Sequence, residues 1–141
     1  MAEEDLLTVS VVTPDGSVYE SQTRLAVFKT IAGEIGILPN HIPLIASLEI
    51  DEVRVKVQGT DDKFDEIAIS GGFVEFSDNV ATIVANSAEK KENIDMVRAT
   101  KARERAERRL EAAKQSNDID TTKRAEIALR RAVNRINISG H

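Results

Sequence analysis

Four arginines near the end of this 141-residue chain have the spacing that could bind phosphate. Arg98 and Arg105 are seven residues apart, which places both on one face of a helix. Arg131 and Arg135 are four apart and share a face of a second helix. A hairpin centred on the polar break QSND at 115–118 would set Arg98 and Arg135 equally far from its turn. Folding would then gather four guanidiniums, which repel one another unless a polyphosphate binds them through charge-assisted hydrogen bonds.

Two other interpretations of this basic segment compete with phosphate binding. The run KARERAERR at 101–109 is also typical of a solvated helix face with acids and bases paired four residues apart. Nucleic-acid binding is the weaker alternative, because residues 89–141 hold 14 Lys/Arg against 9 Asp/Glu, an interleaved net charge of +5. That region also has no aromatic side chain on which a base could stack. We therefore expect no nucleic-acid partner.

Catalytic chemistry has little support in the sequence. Cysteine is absent, and the two histidines are His41, in a proline-rich turn, and His141, the last residue. No Ser-His-Asp or Cys-His set is therefore available. The sequence also lacks a Walker-type phosphate loop and a GxGxxG motif. We expect a protein that is not an enzyme, with no catalytic residue, no metal site and no required cofactor.

The run GEIGILPNHIPL at 33–44 is the most unusual stretch of the chain. Gly33 and Gly36 permit backbone angles that other residues resist. Pro39 and Pro43 fix φ and remove two N–H donors. The run also holds four large apolar side chains before its second proline. A rigid, apolar, surface-directed turn of this kind is typical of a contact site for another molecule.

Two regions of different composition make up the chain. The first 88 residues hold 5 Lys/Arg, 15 Asp/Glu and all five aromatic residues, in short runs where apolar and polar residues alternate. The stretch 53–57 shows this alternation, and turn signals such as the glycine pair at 71–72 separate the runs. The predicted fold class is α+β: an antiparallel β-sandwich domain over 1–87, then an antiparallel two-helix hairpin domain over 88–141.

Apolar spacing in the second region predicts two helices, each with one apolar stripe at intervals of three and four residues. The first stripe consists of Ala99, Ala102, Ala106, Leu110 and Ala113. The second consists of Ala125, Leu129, Ala132 and Ile136. A buried alanine methyl contributes about 0.8 kcal/mol, against roughly 1.5–3 kcal/mol for a buried leucine. The hairpin should therefore be marginally stable, and its helices could separate at modest cost.

Four motifs give the chain a resemblance to a known family. They are SVVTPDGSVYE at 10–20, GEIGILPNHIPL at 33–44, SGGFVEFSDN at 70–79 and RAERRL at 105–110. In this order they resemble the epsilon subunits of bacterial F-type ATP synthases over essentially the whole chain. The resemblance implies a β-sandwich followed by two helices, in agreement with the residue patterns. It also implies a non-catalytic rotor subunit at the foot of the central stalk.

The resemblance implies partners for both domains. The sandwich would bind the gamma subunit and the membrane c-ring, with Thr13, Glu34 and His41 as c-ring contacts. The helices would extend into the alpha/beta catalytic head and inhibit ATP hydrolysis, or fold back and permit rotation. The subunit would lie at the cytoplasmic face of the cell membrane without inserting into it, since the longest apolar run, near 42–48, is too short to span a bilayer.

Some members of the family bind ATP on the folded hairpin through a motif like Ile/Leu-Asp-x-x-Arg-Ala. The sequence matches this motif at 94–99, IDMVRA. By resemblance, ATP as a regulatory ligand would contact Glu89, Ile94, Asp95, Arg98, Ala99, Arg105, Arg131 and Arg135. The alternative to a rotor subunit is a free-standing β-sandwich adaptor with an ATP-sensing helical tail.

Overall fold

The computed structural model describes residues 5–141 and divides the chain into two compact units, one ending at Lys91 and one spanning Glu92–His141. The first unit contains the strands β1 Leu7–Thr13, β2 Gly16–Thr23, β3 Ala26–Thr30, β4 Gly33–Ile37, β5 Leu44–Lys56, β6 Phe64–Ser77, β7 Val80–Ala85 and β8 Ala88–Lys90. The second unit contains the helices α1 Met96–Gln115 and α2 Ile119–Ser139. The predicted fold class, a β-domain followed by a helical hairpin, is confirmed.

The division between the units lies four residues beyond the boundary that the sequence predicts after residue 87. The reason is β8, which pairs antiparallel with β6 and sets Glu89 opposite Ala68. These pairings make β8 part of the first unit, although its composition resembles that of the helices. A short 3₁₀ turn, Lys91–Asn93, then leads towards α1.

One sheet builds the first unit, in the strand order β2-β1-β7-β6-β5-β3-β4, with β8 also paired to β6. Its paired strands are antiparallel except β1 and β7, which run parallel and set Thr8 beside Val80. The first half of β5 pairs with the second half of β6, next to β7, while the second half of β5 also pairs with β3. The two halves of β5 and of β6 thus have different neighbouring strands. One sheet can therefore fold over itself along these two long strands into the two layers of a sandwich.

Gly71 and Gly72 lie inside β6, so the turn that the sequence predicts there is wrong. Both have positive φ, +85° and +140°. A Cβ on Gly72 would lie 2.0 Å from the carbonyl oxygen of Val84 on the neighbouring strand. The pair therefore lets β6 bend while its backbone stays close to β5 and β7, which is a role of glycine within a strand rather than between strands.

Inward-facing side chains of the sheet form one apolar core. Along β1 the core residues are Leu7, Val9 and Val11, and the residues between them are partly exposed. The alternation predicted over 53–57 is confirmed at Val53 and Val55, which are fully buried. Because every second residue of a strand faces the core, the intervening residues remain available for contacts with other molecules.

The second unit is an antiparallel helical hairpin in which an aspartate caps each helix. Asp95 Oδ1 accepts a hydrogen bond from the Arg98 N–H at 3.1 Å, and Asp118 Oδ1 accepts one from the Thr121 N–H at 3.1 Å. The Thr121 hydroxyl also donates to Asp118 Oδ2 at 2.7 Å. This side-chain bond, together with the backbone bond, holds the pKa of Asp118 below its ordinary value.

Alanines form most of the seam between α1 and α2, as their spacing predicts. The buried alanines are Ala99, Ala106 and Ala113 on α1 and Ala125 and Ala132 on α2, and Ile138 near the end of α2 is also buried. The larger members of the predicted stripes are only half-buried: Leu110, Leu129 and Ile136. Within the described residues, neither helix is apolar enough along its length to cross a bilayer.

Candidate functional site

The proline loop, defined as residues 38–43, connects β4 to β5. The first five residues of the turn expected from the sequence, Gly33–Ile37, form strand β4 instead, so the loop is shorter than the motif. Within the loop, Leu38 is 59% exposed and Ile42 is 74% exposed. A short loop that holds two large apolar side chains in solvent is a candidate contact surface.

His41 is fixed within the proline loop on two sides. The edge of its ring faces Phe76, with the ring centroids 6.0 Å apart and the planes at 83°. Its Nδ1 lies 2.7 Å from the carbonyl oxygen of Ile42, which can only accept a hydrogen bond, so Nδ1 carries a hydrogen. In the neutral ring Nε2 is then an acceptor. Because His41 is exposed, that acceptor is available to a partner.

Asn40 and Asn79 tie the proline loop to the tip of the β6–β7 hairpin. The Asn40 backbone N–H donates to Asn79 Oδ1 at 2.6 Å, and the Asn79 amide donates to Asn40 Oδ1 at 3.0 Å. The Asn40 amide also donates to Asp5 Oδ2 at 2.8 Å. Sequence reasoning missed Asn79, because no local pattern links a hairpin tip to a loop 39 residues earlier.

Glu34 lies on β4 between two cations. Its Oε2 is 3.6 Å from Lys29 Nζ, and its Oε1 is 3.5 Å from Arg54 Nη2. Lys29 is the direct cross-strand partner of Glu34 on β3. All three side chains are partly exposed, so water screens these ion pairs and they add little to the stability of the fold. Their effect is to hold the carboxylate in place at the surface.

Thr13 does not lie beside the proline loop. Its hydroxyl accepts a hydrogen bond from the Asp15 N–H at 3.2 Å and donates to the Gly16 carbonyl at 3.3 Å, which closes the turn between β1 and β2. The loop contacts the other end of β1, through Asp5. A seven-residue strand is about 20 Å long. The three predicted c-ring contacts therefore do not form one cluster, because Thr13 and His41 lie at opposite ends of β1.

A second candidate contact surface lies on the outward face of the strands next to this loop. Phe73 on β6 pairs with Val84 on β7, which pairs in turn with Val12 on β1. Phe73 is 45% exposed, Val84 is 36% exposed, and Ile45 on the neighbouring β5 is 77% exposed. We call these four residues the outer apolar patch. Adjacent apolar side chains left in solvent in this way are typical of a protein–protein interface.

The structure places the four arginines predicted to bind phosphate on one flank of the hairpin. Arg98, Arg105 and Arg131 each come directly before a buried seam alanine. Two antiparallel helices are related by an approximate two-fold axis, so the residue before a seam position points to the same flank on either helix. Arg135 follows Arg131 by four residues and shares its face.

Arginines on the two helices also lie at similar distances from the hairpin turn. Its turn is centred on residue 117, which lies 19 positions after Arg98 and 18 before Arg135. Arg105 lies 12 positions before the centre, and Arg131 lies 14 after it. The backbone positions of these arginines thus fall at two levels, roughly 6–10 Å apart along the helix axes. At the second level, the Nε of Arg131 is buried and has no hydrogen-bond partner among residues 5–141.

Two further arginines extend this flank, and sequence reasoning missed them. Arg109 follows Arg105 by four residues, and Arg124 comes directly before the buried Ala125. We call the flank the arginine face, formed by Arg98, Arg105, Arg109, Arg124, Arg131 and Arg135. The four glutamates of the helices fall on the other flank: Glu104, Glu107, Glu111 and Glu126. Spacing relative to the seam alanines is the signal that could have found the two extra arginines.

The other four predicted ATP contacts lie in different parts of the chain. Asp95 is the N-cap of α1, a structural role that sequence reasoning did not assign to it. Ile94, directly before it, is half-buried, and Ala99 is buried in the seam. Glu89 belongs to β8 in the first unit, whereas the other seven residues belong to the second. The hairpin itself therefore brings together the arginines, with Asp95 at the start of the same helix.

A β-sandwich with an exposed apolar loop, followed by a helical hairpin with one arginine-rich flank, defines a two-domain protein with a candidate contact surface on each domain. Comparison with known families narrows this class. Residues 6–91 match the ATP synthase delta/epsilon chain β-sandwich domain, and residues 92–140 match the ATP synthase delta/epsilon chain long α-helix domain. The chain belongs to the delta/epsilon chain family of ATP synthase, which confirms the resemblance seen in its motifs.

Similar proteins match the chain over its full length. It is 63% identical to the ATP synthase epsilon chain of Ligilactobacillus salivarius and covers 100% of that protein. It is 55% identical to the ATP synthase epsilon chain of Pediococcus pentosaceus, again with 100% of both chains covered. Among solved structures, a chain of the Euglena gracilis mitochondrial ATP synthase matches with a TM-score of 0.78 and 25% identity, covering 100% of this chain and 85% of that one.

Proposed function

We propose that this chain is a non-catalytic rotor subunit of ATP synthase that joins the gamma subunit to the c-ring and restrains ATP hydrolysis. The observation that carries the proposal is that one sandwich offers two separate exposed surfaces, the proline loop and the outer apolar patch. Family membership supports this role, and the Euglena neighbour was solved in an assembly of OSCP, F1 and c-ring. The subunit would reach the cytoplasmic face of the cell membrane through its partners.

The outer apolar patch suits the gamma subunit. A contact that must persist while the rotor turns needs an apolar centre from which water is excluded. Phe73 supplies an aromatic anchor of the kind that dominates binding energy in interfaces, and Val84 lies directly across from it. Covering these side chains gains roughly 25 cal/mol for each Å² of apolar surface removed from water.

The segment from Glu34 to His41 suits the polar loops of the c-ring. Glu34 offers a carboxylate that Lys29 and Arg54 hold in place, and His41 offers an exposed ring nitrogen. Groups held in place before binding lose less conformational entropy when a partner arrives. Thr13 lies at the other end of β1, and we leave it out of this contact.

The hairpin suits an inhibitor that changes state. Its buried seam consists mainly of alanines, each of which contributes about 0.8 kcal/mol, so the folded form gains little from the contact between its helices. The arginine face adds electrostatic repulsion to the folded form. Separated helices could reach the alpha/beta catalytic head and block hydrolysis, whereas the folded hairpin would leave rotation free.

ATP binding to the arginine face would favour the folded hairpin. The polyphosphate would offset the repulsion among the guanidiniums and form charge-assisted hydrogen bonds with them. A ligand that binds only the folded state stabilises it by RT ln(1 + [ATP]/Kd), about 2.7 kcal/mol at a hundredfold excess over Kd. Three alanine seam contacts contribute a similar amount, so ATP at that excess would shift the hairpin towards its folded state.

Reconstitution of ATP synthase with a chain that lacks residues 92–141 tests the inhibitory role. We expect ATP hydrolysis to rise severalfold, because the helices that would block the catalytic head are gone. The sandwich should still co-purify with gamma, which shows that assembly is intact. Unchanged hydrolysis in such a complex contradicts inhibition by the helices. A chain that remains a stable monomer and binds no ATP synthase subunit would instead favour the free-standing adaptor.

A further inference from the structure

The tip of the β6–β7 hairpin is bonded to two other segments of the sandwich. Asp78 and Asn79 form its two-residue turn, with φ of +50° and +59°, between the paired residues Ser77 and Val80. Two central residues with positive φ are the mark of a type I′ turn, in which asparagine, aspartate and glycine are favoured. The carbonyl oxygen of Asn79 accepts a hydrogen bond from the Thr8 N–H at 2.8 Å, which anchors the tip to β1.

The side chain of Asn79 makes a reciprocal pair of hydrogen bonds with the proline loop. Its oxygen accepts from the Asn40 backbone at 2.6 Å, and its nitrogen donates to the Asn40 side chain at 3.0 Å. Asn40 has a φ of +68°, in the left-handed region that asparagine adopts more readily than most residues, and these bonds hold it there. Within the loop itself, one backbone bond joins the His41 N–H to the Leu38 carbonyl at 3.2 Å. The loop that carries the exposed Leu38 and Ile42 is therefore also held from outside. The Asn79 side chain bonds both the backbone and the side chain of Asn40, whereas Asp5 accepts only from the Asn40 side chain.

We propose that Asn79 is a positioning residue for the docking of the proline loop. The hairpin tip holds the backbone at Asn40 in its left-handed conformation, which sets the directions of Leu38, His41 and Ile42 before the partner arrives. Asn79 acts through Asn40 and needs no contact with the partner. The inference rests on the proposed function of the loop as a contact with the c-ring. Its physical basis is preorganisation, which lowers the entropy lost on binding.

Two glycine substitutions distinguish the effect of the turn conformation from the effect of the Asn79 side-chain bonds to the loop. Asn79→Gly keeps a type I′ turn, because glycine accepts positive φ, and removes both side-chain bonds to Asn40. Asp78→Gly is the matched control, since it makes the same change at the adjacent position of the same turn. Asn79→Asp keeps an oxygen that can accept from the Asn40 N–H and loses the amide donor, so it should retain part of the effect.

Hydrogen exchange on the free full-length chain measures the state of the loop. The N–H of Asn40 is bonded to Asn79, so Asn79→Gly should speed its exchange by about tenfold, the size expected for one lost hydrogen bond. Asp78→Gly should leave this exchange rate unchanged. Asn79→Asp should fall between the wild type and Asn79→Gly. Equal exchange in the two glycine variants overturns the inference, because the loop would then be ordered without Asn79.

The second measurement is the binding affinity of the same variants for ATP synthase from which this subunit has been removed. We expect Asn79→Gly to weaken binding by about tenfold, with no effect from Asp78→Gly and equal thermal stability in both. Faster exchange with unchanged affinity rejects Asn79 as a positioning residue. His41→Ala separates failure of the Asn79 inference from failure of the proposed loop contact. If it also leaves affinity unchanged, the loop is not a contact surface, and the proposed function of the loop fails as well.

Discussion

Arg54 Nη2 lies 3.5 Å from Glu34 Oε1, although the strands that carry them, β5 and β4, are separated by β3. The guanidinium also lies 5.3 Å from the centroid of the Phe64 ring, which helps to hold it against the sheet. Glu34 is thereby fixed from the side of β5 while about half of its side chain, 49%, remains exposed. A carboxylate with these properties is suited to recognition of a polar partner.

Glu34→Gln should weaken binding to the stripped ATP synthase by on the order of 1 kcal/mol, because the amide keeps the shape and loses the charge. The difference from the wild type should shrink as salt is raised, since a partly exposed charge is screened. Titration at low and high ionic strength measures both effects. Glu20→Gln, at an exposed position on β2, is the control for net charge. Equal losses in the two variants would assign the effect to overall charge.

Phe73→Ser should weaken binding to the gamma subunit by about 2 kcal/mol if Phe73 is an interface anchor. Its effect on the free energy of unfolding should be small, because nearly half of the side chain already faces water. Phe28→Ala, in the core, should instead cost about 3–5 kcal/mol of unfolding free energy. Urea unfolding and binding to isolated gamma separate the two effects. Unchanged affinity in Phe73→Ser removes the outer apolar patch from the interface.

Arg105→Ala should weaken ATP binding by about tenfold or more, because it removes a charged donor from the arginine face. Arg103→Ala is a matched control two residues away on the same helix. Arg103 lies on the other flank, where its Nε is 3.7 Å from Glu107 Oε1. Calorimetry at millimolar ATP compares the two variants with the wild type. Equal weakening in both would refute a site confined to one flank, and no binding by the wild type would refute the ATP site itself.

Acid should destabilise the hairpin partly through Asp118. Hydrogen bonds from Thr121 lower the pKa of Asp118 in the folded state, so the ionised cap stabilises the fold above the ordinary aspartate range. That contribution is lost as the pH falls through the folded pKa. Asp118→Asn still caps the helix and does not titrate, so it should lose less helicity between neutral pH and about pH 2. Circular dichroism measures the loss, with Asp120→Asn as control. Parallel curves for wild type and Asp118→Asn would contradict the prediction.

Gly72→Ala should destabilise the sandwich by about 3 kcal/mol or more. The new Cβ would lie 2.0 Å from the Val84 carbonyl oxygen, and that oxygen belongs to backbone that cannot move independently. Gly16→Ala also places alanine at positive φ, but apart from its chain neighbours no atom of residues 5–141 lies within 4 Å of the new Cβ, so it should cost only about 1 kcal/mol. Chemical denaturation compares the two. A similar cost for both would show that φ, rather than the contact with β7, requires glycine at position 72.

Much of the fold could be predicted from the sequence, because it follows from local periodicity. The alternation around Val53 and Val55 and the spacing of Ala99 and Ala106 each reflect one buried face of one element. The arginine face could be predicted in the same way, since hairpin geometry follows from the position of a turn. Even the N-cap role of Asp95 has a local signal, an aspartate directly before a helical pattern.

The remaining features depend on contacts between segments far apart in the chain. A glycine pair between two apolar runs usually marks a turn, and only the approach of Val84 shows that Gly72 lies inside a strand. The bond between Asn79 and Asn40 has no local pattern for the same reason. The position of Thr13 relative to His41 depends on which end of β1 the proline loop meets, and only the sheet topology decides that.

The parallel pairing of β1 with β7 has a consequence for biogenesis. Thr8 pairs with Val80, which lies 72 residues later in the chain. Until almost the whole sandwich has been synthesised, β1 can therefore pair only with β2. Sheets with such distant pairings fold in milliseconds to seconds, whereas local helical hairpins fold faster. The outer apolar patch uses residues of β1, β5, β6 and β7, so it does not exist on a shorter nascent chain. If the outer apolar patch binds gamma, as we propose, recruitment into the rotor has to follow synthesis of the last strands of the sandwich.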